Sequence, residues 1–166
     1  MAVLCALLMV LPAGLGASAG QTEASWAGSE YGEGSFTAKT VPPPTVSHPC
    51  GVDTVLITLV FTDAWVDFAP PAGYTKDDIT WRTGKSTTSL ATVTPAVTPN
   101  GNAYRAKFSR GLLESVLGAL WDALTGSTFY IEARTMDGTW TSESRYSKVD
   151  TGLLGLNSSC TDNVTP

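Results

Sequence analysis

From residue 52 onward the apolar positions of this chain recur mostly at every second residue, the period of a strand with one face buried. The longest such run, Val52 to Phe61 (VDTVLITLVF), is rich in β-branched residues and puts Val55, Ile57 and Leu59 on one face, which predicts an inner strand of a sandwich. The chain then turns at Pro70-Pro71, and an alternating strand resumes at Ile79-Thr80-Trp81-Arg82 with Trp81 as a core tryptophan. Two more strands are expected at Ser89 to Val97 and Ala103 to Phe108, separated by the hairpin signal Pro99-Asn100-Gly101-Asn102. The period then changes. Leu113, Val116, Leu117, Leu120 and Leu124 form a helical stripe over about residues 110–125, with Ser109 as N-cap and Gly126 as stop.

The strand period returns at Thr128 to Thr135, where Phe129, Ile131 and Ala133 point inward and Tyr130, Glu132 and Arg134 outward. Asp137-Gly138 turns this strand into a last one, Thr139 to Val149. Upstream, Val41-Pro42-Pro43-Pro44-Thr45-Val46 cannot supply a full ladder of N–H donors, so it belongs to an edge strand. Together these elements predict a mainly β chain: a single immunoglobulin-like or fibronectin III-like antiparallel β-sandwich with one inserted α-helix.

The N-terminal residues follow neither period. Met1 to Ala19 carries no charge, its apolar core is too short to span a bilayer, and Ala17-Ser18-Ala19 offers small residues for cleavage between Ala19 and Gly20. The expected organisation is a signal peptide at 1–19, a flexible Gly/Ser/acidic segment at 20–40, the sandwich at 41–160 and a tail at 161–166. Cleavage would leave Cys50 and Cys160 as an even pair in an exported chain, which predicts a disulfide. Closing a loop of that length contributes about 4–5 kcal/mol in the chain-entropy view.

Composition narrows the chemistry. Charged residues make up 15% of the chain, and Thr, Ser, Gly and Pro take their place, which suits an extracellular β-protein. A net charge of −5 without a basic cluster argues against nucleic acid as a partner. A hydrolytic triad needs a base, and the single histidine, His48, lies two residues from Cys50 on one extended segment. The sequence contains no HExxH, P-loop or dinucleotide fingerprint. Asp63 with Asp67, and Asp77-Asp78, are the remaining paired carboxylates for acid–base or calcium chemistry, although adjacent strand residues such as Asp77 and Asp78 point to opposite faces. No catalytic residue, cofactor or metal is therefore expected.

Of the five tryptophans, Trp65, expected in a loop beside Asp63 and Asp67, and Trp140 are the candidate ligand-contacting aromatics, with a glycan as the ligand. Clustered exposed aromatics would mark such a site; burial of Trp65, Trp81 and Trp140 together would remove it.

The run Ala24-Ser25-Trp26-Ala27-Gly28-Ser29-Glu30, followed by Gly34-Ser35-Phe36-Thr37-Ala38, resembles the signature behind the signal of SipW-dependent secreted proteins of the TasA and camelysin type. Lys39 stands where that family usually carries a second Gly, and the basic start of the signal is missing. The resemblance spans roughly residues 10 to 40 and implies a Gram-positive source, export through a dedicated signal peptidase and a place in the cell envelope or extracellular matrix. The 128–149 passage is similar to the final hairpin of fibronectin type III domains over about 25 residues. The expected function is a secreted or cell-surface structural and assembly protein without catalytic activity, which would associate with itself or other envelope proteins and touch the membrane only through its signal peptide. The alternative is an extracellular carbohydrate- or protein-binding module.

Overall fold

The computed structural model describes residues 39–46, 50–55, 60–118, 126–152 and 157–165, all within one compact unit, Ala38–Pro166. Two antiparallel sheets face each other there. The first contains β1 (Thr45–Val46), β2 (Gly51–Val55), β3 (Val60–Ala69), β6 (Ala96–Asn100) and β7 (Ala103–Ser109), in the order β1-β3-β7-β6 with β2 also on β3. The second contains β4 (Ile79–Ser86), β5 (Ser89–Val93), β8 (Ser127–Asp137), β10 (Arg145–Thr151) and β11 (Ser159–Asp162), in the order β11-β10-β8-β4-β5, with β9 (Trp140–Thr141) on the end of β8. In chain order β1, β3, β6 and β7 take the places of strands A, B, D and E of an immunoglobulin-like sandwich, and β4, β8 and β10 those of C, F and G. The expected mainly β sandwich with one helix is the fold found.

Its core comes from the alternation. β3 turns Phe61, Ala64, Val66 and Phe68 inward, β7 adds Ala106 and Phe108, and β8 faces them with Phe129, Ile131 and Ala133. Trp81 on β4 is buried between them, edge-on to Phe68 at 5.0 Å and to Phe108 at 5.5 Å between ring centres. Such edge-to-face pairs add to what burial alone contributes. The proline-rich start does give an edge strand, since β1 reaches only Phe68 and Ala69 of β3.

Four elements differ from expectation. Val52 to Phe61 is not one inner strand: Val55 pairs with Val60 in the antiparallel β2–β3 ladder, Val55 is exposed, and Ile57 and Leu59 fall outside the described residues. A continuous β-branched run favours strand but does not mark a reversal within it. Ser89 to Val97 likewise divides at Thr94-Pro95, where proline cannot extend the ladder and the chain passes from the second sheet to the first.

The helix, α1 (Arg110–Leu117), has eight residues rather than the span 110–125. Ser109 caps it as expected, accepting from the Leu112 N–H, but Gly118 takes a positive φ of 71° and closes it while donating to the Glu114 carbonyl. Leu113 and Leu117 are buried; Leu120 and Leu124 lie outside the described residues. Lastly, Thr139 to Val149 is interrupted. Met136 opposes Thr141 and Ala133 opposes Arg145, so one extra residue sits on the β9–β10 side. The Ser142 side chain fills that bulge by accepting from the Thr135 N–H at 2.9 Å.

Candidate functional site

Cys50 and Cys160 form the expected disulfide, with Cα atoms 5.5 Å apart. Cys50 precedes β2 of the first sheet and Cys160 lies on β11 of the second, so the bond ties the two layers together. Asp162 reinforces it, accepting from the Cys50 N–H at 2.8 Å and from the Ser147 hydroxyl at 2.6 Å. Cys50, Cys160 and Asp162 are close enough to resemble a metal-binding trio, but sulfurs bonded to each other are not thiolate ligands. His48 lies outside the described residues, as do Ala19 and Gly20. β11 and the bond from the Val164 N–H to the Tyr146 carbonyl extend the paired region beyond residue 160.

Trp65 is in the middle of β3, not in a loop. Its indole closes over Gly51, where a Cβ would overlap the ring, and its N–H donates to Asp53 at 3.1 Å. The Arg105 guanidinium covers a ring face at 3.6 Å from the centroid. Arg105 also holds Asp67 through two bonds, Nε to Oδ1 at 2.7 Å and Nη2 to Oδ2 at 2.8 Å, and Asn100 adds a third at 3.0 Å. The Arg105 bond, helped by Asn100, keeps the Asp67 carboxyl below the usual aspartate range against the opposing effect of burial. Asp63 pairs with Lys107 at 3.1 Å. The two carboxylates expected to cooperate are thus each matched to a separate cation, and the Trp65 face offered as a ligand platform is already occupied by Arg105.

Asp77 and Asp78 belong to a 3₁₀ turn, Lys76–Asp78, rather than a strand. Asp77 pairs with Lys76, while Asp78 accepts from both the backbone N–H and the hydroxyl of Thr75.

A charged centre that alternation alone did not reveal is Glu132. It faces away from the core on β8 yet is fully buried, opposite Arg82 on one side and Tyr146 on the other. Arg134 reaches Oε1 at 2.7 and 2.9 Å, Ser144 the same oxygen at 2.7 Å, and Arg82 Oε2 at 3.2 Å. Burial raises its pKa, but hydrogen bonds from Ser144, Tyr146 and Arg134 together outweigh it and hold the carboxyl below the ordinary glutamate range.

One end of the sandwich carries an open depression of about 460 Å³, lined by Lys39, Tyr74, Asp78, Met136, Asp137 and two turn glycines. The Tyr74 hydroxyl donates to Asp137 Oδ2 at 2.9 Å, and Lys39 pairs with the same oxygen. The Lys39 bond, then that of Tyr74, lowers the Asp137 pKa; in return the bond to Asp137 raises those of Lys39 and Tyr74. Gly138, at a φ of 60°, makes the tight turn that sets Trp140 directly opposite Asp137 in the β8–β9 pair. Trp140 is 58% exposed. The Asp-Gly turn was legible in the sequence, but the depression joins three distant segments and was not.

Of the three tryptophans named as a test of the binding reading, then, Trp81 is buried, Trp65 is half-buried beneath Arg105 and Trp140 is open. They form no common platform. Trp121 lies outside the described residues.

These features define an immunoglobulin-like sandwich with a disulfide between its layers. Comparison with known proteins finds no matching family model, no matching curated protein and no matching solved structure. No helix among the described residues is long and apolar enough to cross a membrane.

Proposed function

We propose that this chain is an exported, non-catalytic module that serves as a structural or assembly subunit at the cell surface. The observation that carries the reading is the Cys50–Cys160 disulfide joining the two sheets, a type of crosslink that persists in oxidising compartments. The uncharged N-terminal segment and the SipW-type signature support export, and the Gly/Ser/acidic segment at 20–40 is long enough to add as a strand to a neighbouring subunit's sheet edge. β5, at the edge of the second sheet, presents an unpaired ladder side among the described strands.

The test is intact mass with and without reductant on protein secreted from its native host, coupled to size-exclusion chromatography. The expected species begins at Gly20, is two hydrogens lighter than its reduced form and elutes as oligomers that deletion of residues 20–38 converts to monomers. An uncleaved, reduced monomer would sink both the export and the assembly parts. The binding-module reading is favoured by one specific observation, the exposed Trp140 paired with Asp137 of the end depression.

A further inference from the structure

The end depression brings two carboxylates, a lysine and a tyrosine together next to an exposed tryptophan. Direct partners in an antiparallel pair project to the same side with Cβ atoms roughly 4.5–5.5 Å apart, so Trp140 stands beside Asp137, one of the residues that line the depression. Unlike Trp65, whose ring lies under Arg105, Trp140 leaves most of its surface to solvent. Within the depression the two carboxylates are anchored through one oxygen each. Asp137 receives Tyr74 and Lys39 on Oδ2, and Asp78 receives both Thr75 donors on Oδ2. Among the described residues no donor reaches Oδ1 of either, so both carboxylates are oriented and still have acceptor sites to offer. Lys39 remains a cation with further N–H groups, and the Tyr74 oxygen can accept as well as donate.

An exposed indole beside fixed acceptors and a few donors matches a polyol ring. The C–H face of a pyranose stacks on an aromatic surface, and its hydroxyls both donate to carboxylates and accept from amines. A volume of about 460 Å³ lies within the roughly 300–1,000 Å³ of small-ligand sites. Two carboxylates against one lysine, on a chain of net charge −5, disfavour an acidic sugar. The lysine sharing Asp137 Oδ2 disfavours a divalent cation. We propose that this depression binds a neutral polysaccharide chain, with Trp140 as the stacking platform and Asp78, Asp137, Tyr74 and Lys39 as hydrogen-bond partners of one sugar ring. All its residues belong to one chain, so the site needs no neighbouring subunit to be complete.

The experiment is isothermal titration of the disulfide-bonded protein with three neutral hexasaccharides, of β-1,4-glucose, β-1,4-xylose and β-1,4-N-acetylglucosamine, and separately with calcium chloride. At least one sugar is expected to bind, and Trp140→Ala should weaken it by roughly tenfold, the loss of one aromatic contact. Asp137→Asn should weaken it several-fold, while Val55→Ala, at the other exposed large apolar residue among those described, should leave it unchanged. Thermal melts of each variant separate loss of binding from loss of folding. The proposal is overturned if no sugar binds at about 10 mM, above the millimolar range of weak recognition. It is equally overturned if binding survives in a folded Trp140→Ala variant, or if calcium binds and the sugars do not. Oligomeric state, read in parallel, tests the assembly reading separately.

Discussion

Glu132 and Trp140 show how far a residue's environment can depart from what alternation assigns it. Both lie on the β8–β9 hairpin; one has no accessible surface and the other is more than half exposed. Glu132 is tolerable without solvent because Arg82, Arg134, Ser144 and Tyr146 supply the hydrogen bonds that water would. Removing one member of a buried charge cluster leaves the others uncompensated, and Glu132→Ala should destabilise the fold by about 3–5 kcal/mol in chemical denaturation. The pH dependence follows from the lowered pKa. Stability from ionised Glu132 is fully present above the ordinary glutamate range and is lost as pH falls through the depressed folded-state value. Melts across an acid series should therefore show the gap between the native chain and Glu132→Gln narrowing toward low pH. A constant gap would mean that the role of Glu132 is one of shape rather than charge.

Among the elements, those with explicit punctuation were legible. Asn100-Gly101 and Asp137-Gly138 mark hairpins because glycine accepts a positive φ, and the Pro42 to Pro44 run marks an edge because proline lacks a donor. The β2–β3 reversal carries no such mark, so strand propensity alone read it as continuous. The helix ends earlier than its apolar stripe suggests, because Gly118, set within that stripe, adopts the same φ of 71° as Gly126 beyond it. Its start was clear: Ser109→Ala removes the bond to the Leu112 N–H and should cost about 0.5–2 kcal/mol by thermal or urea unfolding. An unchanged midpoint would mean that burial of Leu113 and Leu117 holds this short helix without its cap. The end depression was beyond sequence reading for a different reason, since no local period links Lys39, Tyr74 and Asp137. Their meeting depends on which strands adjoin.

At the scale of the molecule the disulfide was the clearest long-range expectation, because Cys50 and Cys160 are the only cysteines beyond residue 19. It crosses between two sheets whose described strand ladders each lie within one layer, and the Cys50 N–H bond to Asp162 runs beside it. Substituting both cysteines by serine should lower stability by about 2–5 kcal/mol, read as a shift in the unfolding midpoint that reductant reproduces on the native chain. A midpoint indifferent to reductant would show that sheet packing holds the layers without the bond. The crosslink also decides how the domain responds to pulling. Tension applied between residues before Cys50 and after Cys160 passes through the sulfur bridge and bypasses the strands between them. A loop of 110 residues, about 360–400 Å of extended chain, is thereby withheld from stretching. The sandwich can behave as an almost inextensible link while β1, outside the bridge, yields first.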